Sequence, residues 1–236
     1  MIRNISTEGI VLSELKYKEK SKIIRVFTKD YGKISVMARG ALGSKSPLVS
    51  VTQMFSLNNY DLFKGRSFYY IDHAQIISSN FNIRNDYDKL IMSSFILELI
   101  DRTFMDNEVN EKVFLLVKKT INLIASSNED IMPLVLAFEI KYISFLGYRP
   151  VLNDDKDIPF FSVKDGGIIE KPPLIKEKCY SVEREDIYYL NKLLYTSLDA
   201  LNVVIDKKKL LYLQNIILEY IKYNLEISDF NSLNLI

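Results

Sequence analysis

The chain is short of the residues on which most site chemistry is built. Its 236 residues include one cysteine, Cys179, one histidine, His73, and no tryptophan. A zinc site takes three or four Cys, His or carboxylate ligands, and a Ser-His-Asp or Cys-His device needs its histidine beside the nucleophile. His73 and Cys179 fall on different predicted elements, so no catalytic residue, metal or cofactor is expected. With eight glycines and six prolines the chain is neither collagen-like nor of low complexity. No run approaches about 18 uninterrupted apolar residues, which excludes a membrane-spanning helix. Met1-Ile2-Arg3-Asn4 lacks the apolar stretch and small-residue cleavage site of a secretory signal, so a cytoplasmic protein without a membrane partner is expected. What is present, 48% apolar and 26% charged residues, is the composition of an ordinary globular protein.

Charge is unevenly spread. Residues 1–80 hold twelve Lys or Arg against six Asp or Glu, whereas residues 81–236 hold nineteen against twenty-four. A basic front joined to a mildly acidic remainder suggests that the first part meets a polyanion and the second does something else.

Periodicity divides the chain at nearly the same place. Gly9-Ile10-Val11-Leu12-Ser13-Glu14-Leu15, Lys22 to Thr28, Lys33 to Gly40, Thr52 to Phe63 and Phe68 to Ile77 are short runs rich in β-branched and aromatic residues. Turn formers separate them, including Asp30-Tyr31-Gly32 and Lys64-Gly65-Arg66-Ser67. Five short strands avoid open edges by closing into a small barrel, an OB-fold with an SH3-like barrel as the alternative of the same size. After Asn80 the apolar period becomes 3.6, and helices are predicted over Asp88 to Phe104, Val109 to Ala125, Ile131 to Leu146, Glu183 to Ser197 and Lys207 to Ile227. Pro133 suits a first helical turn, and Gly147 with Pro150 marks a helix end. The segment 152–182, with Pro159, Gly166-Gly167 and Pro172-Pro173, reads as a β-hairpin inserted in the helical part. The expected architecture is therefore α+β, with a barrel domain over 1–80 and a helical domain over 81–236.

The basic front carries the most informative pattern. Lys16, Lys18, Lys20 and Lys22 alternate with Tyr17, Glu19 and Ser21 in the turn between the first two strands, and Arg25, Lys33, Arg39 and Lys45 follow, with Phe27 and Tyr31 nearby. Single-stranded nucleic acid is held by cations that track its phosphates and by aromatic faces on which bases stack. A solvated lysine turn above core aromatics would give the same string, and an RNA-binding module or a barrel that only scaffolds proteins stays open. Arg39-Gly40-Ala41-Leu42-Gly43-Ser44-Lys45-Ser46 imitates a phosphate-binding loop. Ser44 interrupts the Gly-Lys-Ser triplet, and Pro47 is expected to lead into a strand rather than a helix, so ATP hydrolysis is not expected. Asp154, Asp155 and Asp157 lack the frame of a calcium loop and are expected to be solvated.

Taken in order, several of these stretches resemble one family. Gly9-Ile10-Val11-Leu12, Glu19-x-Ser21-Lys22-Ile23-Ile24, Phe27-Thr28, Tyr31-Gly32-Lys33-Ile34 and Ala38-Arg39-Gly40-Ala41 resemble the opening of bacterial RecO recombination mediators. Phe145-Leu146-Gly147-Tyr148-Arg149-Pro150-Val151-Leu152 resembles the close of that family's central helices, and Phe160 with Gly166-Gly167 resembles the zinc-ribbon-like insertion that follows. The resemblance implies an N-terminal OB-fold, a helical domain and that small insertion. It implies binding of single- and double-stranded DNA and annealing of complementary strands. It further implies RecR and the single-stranded DNA-binding protein as partners, help in loading RecA, and a place at the nucleoid. On this chain's own pattern of cations and aromatics, the phosphate contacts expected are Lys33, Arg39 and Lys45 with Arg25 and Lys16, Lys18, Lys20 and Lys22, joined more weakly by Phe27, Tyr31 and Arg66. One departure is plain: the insertion has no cysteine where many relatives carry two pairs, around 153–157 and 169–173, so zinc is not carried over and the ribbon is expected to be degenerate.

Overall fold

A computed structural model describes residues 4–43, 45–153, 155, 159–171 and 178–235. Its first five strands are β1 (Asn4–Tyr17), β2 (Ser21–Thr28), β3 (Gly32–Ala38), β4 (Leu57–Lys64) and β5 (Tyr69–Ser78). They close into a barrel of order β1-β2-β3-β5-β4, antiparallel except where Val36 and Met37 of β3 pair in parallel with Tyr69 and Tyr70 of β5. This is the five-stranded OB arrangement, whose closure pairs both edges of most strands and leaves the end of β1 with a single neighbour. Alternation explains the inside: Ile5, Val11, Ile24, Val26, Ile34, Val36, Tyr60 and Leu62 meet in one buried cluster.

Beyond Ile10, which pairs with Leu57 of β4, β1 pairs only with β2. A bulge between Val11 and Ser13 introduces this change, and the β1–β2 hairpin runs on to its turn at 17–21 as an arm flanked by β3, which pairs with β2 from Lys22 to Thr28. Between β3 and β4 lies a four-residue helix, α1 (Leu48–Val51), where a strand leading from Pro47 was expected. Tyr60 fixes it from below, its hydroxyl donating to the Val51 carbonyl at 2.5 Å while Asn58 Nδ2 donates to the Tyr60 oxygen at 2.9 Å. The predicted fourth strand accordingly starts five residues late. Thr52 to Ser56 is a turn, with Phe55 at φ 72°.

Two helices belong to the same compact unit as the barrel, α2 (Tyr87–Thr103) and α3 (Glu111–Ser126). The Asp86 carboxylate caps α2 by accepting from the Lys89 N–H at 3.0 Å, and Asn110 caps α3 by accepting from the Val113 N–H at 3.1 Å. Residues 230–235 belong to this unit as well. Phe230 is fully buried and stands edge-on to Phe95 of α2 at 4.9 Å, while the N–H groups of Asn231 and Ser232 donate to the Glu98 carboxylate.

The second compact unit spans 127–229. It contains α4 (Met132–Phe145), α5 (Arg184–Tyr195) and α6 (Lys207–Asn224), which pack on one another, and a small sheet. The predicted hairpin is there as β6 (Phe160–Ser162) and β7 (Gly167–Ile169), joined by β8 (Cys179–Ser181) in the order β7-β6-β8. Phe161, fully buried, and Tyr220 of α6 meet edge to face at 5.5 Å. Packing of this kind anchors the cysteine-poor insertion. Asp154, Asp157, Pro172-Pro173 and Ser44 lie outside the described residues. Among the described residues no cluster of three or more His, Cys, Asp or Glu could hold a metal ion, and no helix is long and apolar enough to cross a membrane.

Candidate nucleic-acid interface

The outward-facing surface of the barrel divides into a covered part and an open part. Side chains of β2 and β3 that point away from the barrel core include Arg25, Phe27 and Lys33, and α2 and α3 lie over them. Phe27 is fully buried, with its ring 5.1 Å from Phe104 and 6.1 Å from Phe114. It is a core residue and offers no face to a base, which corrects the expectation from sequence.

Lys33 needs the same correction. It is 4% exposed, and its ammonium donates to the Asp101 main-chain carbonyl and pairs with the Asp101 carboxylate at 3.2 Å. The backbone locks it in place. The loop after α2 bridges β3 at Lys33↔Asp106, and the Asn107 N–H donates to the Lys33 carbonyl at 2.9 Å. Gly32 permits this approach, because a Cβ there would lie 2.2 Å from the Glu108 carbonyl oxygen. Arg25 shares the carboxylates: its Nε lies 3.0 Å from Asp101 and its terminal nitrogen 2.7 Å from Asp106. Arg25 and Lys33 are thus neutralised stitches between barrel and helices, and neither is a free phosphate contact. Lys29 lies 3.2 Å from Glu111, whose hydrogen bond and charge raise its pKa above the ordinary lysine value. Tyr31 is half-buried and packs on the barrel core, so its ring is already engaged.

The open part lies at the β1–β2 arm and the loop after β3. Lys16, Lys18 and Lys20 are exposed there. Lys22, opposite Lys16 across the hairpin, is paired with Glu14. The Leu42 N–H donates to the Lys20 carbonyl at 3.1 Å, which brings the loop carrying Arg39 and Lys45, both exposed, against the lysine turn. Leu15 and Tyr17, with 64% and 38% of their surface exposed, add apolar area to the arm, and the Lys18 ammonium sits 5.4 Å from the Tyr17 ring centre.

Two residues that sequence reasoning passed over complete this surface. The Arg39 guanidinium lies 4.6 Å above the ring of Tyr70, and Tyr70 in turn stacks on Phe63, its cross-strand partner, at 5.1 Å and 12° between planes. Phe63 and Tyr70 are half-buried. A stacked guanidinium keeps its in-plane N–H donors free, so this arrangement sets phosphate donors beside an aromatic ledge. The signal in the sequence was the aromatic pairing across Lys64-Gly65-Arg66-Ser67, where Phe63 and Tyr70 flank a basic turn; their common face depends on the register. Arg66 is exposed in that turn.

The family comparisons agree with this architecture. A model described as "Recombination protein O N terminal" matches residues 1–80, and one described as "Recombination protein O C terminal" matches residues 84–234. A protein named DNA repair protein RecO from Caldanaerobacter subterraneus subsp. tengcongensis is 32% identical over 245 residues, covering 98% of this chain and 96% of that protein. One of the same name from Thermoanaerobacter sp. is 31% identical, with 96% and 94% covered, and one from Clostridium acetobutylicum is 37% identical over 61% and 58%. A closed five-stranded barrel followed by helices, with both halves of the chain matched in order, shows that this chain belongs to the RecO family of recombination proteins.

Proposed function

We propose that this chain serves DNA repair as a recombination mediator. In this reading it binds single- and double-stranded DNA through the barrel, anneals complementary strands, and helps to load the RecA recombinase onto strands coated by single-stranded DNA-binding protein, with RecR as a partner. Its place is then on the nucleoid, in the cytoplasm, and it breaks no covalent bond.

The observation that carries the reading is the Arg39–Tyr70–Phe63 stack flanked by the exposed Lys16, Lys18, Lys20 and Lys45. Cations lower the repulsion between two polyanionic strands, and each neutralised phosphate releases condensed counterions. Aromatic faces hold bases by stacking without regard to sequence. Contacts limited to backbone and ring faces leave the Watson–Crick edges available for a second strand, which is what annealing requires. The two stitched cations, Arg25 and Lys33, and the buried Phe27 take no part.

The test is annealing of complementary oligonucleotides, bare and coated with single-stranded DNA-binding protein, by wild type and by Arg39→Ala combined with Tyr70→Ala. The variant is expected to anneal several-fold more slowly on any sequence. Equal rates for the two proteins, or a loss confined to particular sequences, would overturn this assignment.

A further inference from the structure

The β4–β5 turn borders a polar cleft of about 150 Å³, facing the first half of β3 and closed at one end by Asp106 and Asn107. The gap exists because β3 pairs with β5 only at Val36 and Met37, which leaves the strand from Lys33 to Ser35 without a β5 neighbour. At that size it is below the roughly 300–1,000 Å³ of pockets that enclose a small organic ligand. A small ion or a single phosphate group is the fitting scale.

Its lining selects an anion. Lys64 and Arg66 stand exposed on the rim, and Ser67 adds a hydroxyl. The Gly65 N–H closes the turn on the Phe68 carbonyl at 2.9 Å, whereas among the described residues the successive N–H groups of Arg66 and Ser67 have no acceptor. Successive unsatisfied backbone N–H groups in a turn form an anion-binding concavity. The one carboxylate in the lining, Asp106, is held by Arg25 at 2.7 Å, and the Lys33 ammonium is engaged with Asp101, so the wall opposing the turn presents little uncompensated charge.

Gly65 joins this cleft to the aromatic ledge. A Cβ built there would lie 2.4 Å from the Tyr70 ring, so the ring rests on the turn itself. We infer that the cleft seats one backbone phosphate of a bound strand, held by Arg66, Ser67 and the turn's N–H groups, beside the Arg39–Tyr70–Phe63 stack. This rests on the DNA-binding reading above and adds a defined subsite to it.

The experiment titrates ¹⁵N-labelled protein with oligo(dT) and, in a second arm, with inorganic phosphate, and measures the salt dependence of oligo(dT) binding by wild type and Arg66→Ala. Saturable shifts of the Arg66 and Ser67 amides with oligo(dT), and a log–log salt slope shallower by about 0.7 in the variant, support the subsite. Oligo(dT) binding with those amides unmoved and the slope unchanged overturns the subsite and leaves the DNA reading intact. If wild type fails to bind oligo(dT), the DNA reading falls; the cleft then stands as a seat for free phosphate only if inorganic phosphate shifts the same amides, and falls with the reading if it does not.

Discussion

Two cations six residues apart in one strand and its loop, Lys33 and Arg39, should behave oppositely when removed. Replacing Lys33 with alanine takes an almost fully buried ammonium off the Asp101 carboxylate and carbonyl. Breaking a fully buried pair costs about 3–5 kcal/mol. Here Asp101 keeps Arg25 at 3.0 Å and about a third of its side chain is solvated, so the loss is nearer 2 kcal/mol. That corresponds to a fall of roughly 4–8 °C in melting temperature for a chain of this size. DNA affinity per folded molecule should not change.

Arg39→Ala removes an exposed stacked guanidinium, worth about 0.5–1 kcal/mol to stability at such a site. Its effect appears in binding. One phosphate contact fewer makes the salt slope on single strands shallower by about 0.7, so between 50 and 200 mM salt wild type loses about 2.6-fold more affinity than the variant does. Calorimetry for stability and fluorescence anisotropy at several salt concentrations separate the two. If Lys33→Ala alters the salt slope while leaving the melting temperature alone, the division of the barrel surface into covered and open parts is wrong.

Three further outcomes follow from burial. Phe27→Ala should cost about 3–5 kcal/mol by emptying the space between Phe104 and Phe114, read as a lower denaturant midpoint with oligonucleotide affinity unaltered below it. Glu139 of α4 is fully buried with, among the described residues, a single long hydrogen bond, from Gln214 at 3.4 Å, and burial raises its pKa to about 8. The unfolded chain releases that proton near the ordinary value, so the contribution to stability is complete below pH 4.5 and is lost as pH rises to about 8. Glu139→Gln should therefore gain stability relative to wild type across that interval, measured by urea unfolding at a series of pH values, and a constant difference would contradict it. Phe230→Ala should loosen the C-terminal segment, seen as faster amide exchange at Asn231 and Ser232, whose N–H groups now reach Glu98 at 3.0 and 2.9 Å.

Much of the barrel was legible because strands and turns write their period locally. The β2–β3 turn at Asp30-Tyr31-Gly32 and the basic turn around 64–67 lie where the sequence puts them, whereas the lysine turn shrinks to 18–20 because Lys16 and Lys22 pair across the strands. The short helix at Leu48–Val51 was not legible, since its apolar residues and the preceding proline fit a strand equally well and bonds from Asn58 and Tyr60 in the next strand hold it. The domain boundary also looks different by period and by packing: the period changes after Asn80, whereas the compact unit around the barrel continues through α3 to Ser126.

For the interface, the chain's own order of residues decided which side chains are cationic or aromatic, how they alternate, and that they cluster in the first eighty positions. It could not decide which of them meet water. Alternation distinguishes the inside of a closed sheet from its outside, but an outside residue beneath a helix and one facing solvent obey the same period. Phe27 and Lys33 are covered because Phe104, Phe114 and Asp101, distant in sequence, arrive over them. Tyr70 and Phe63 stack because cross-strand register places them opposite each other, with Arg39 over Tyr70. Those are relations between remote segments, and only the folded chain creates them.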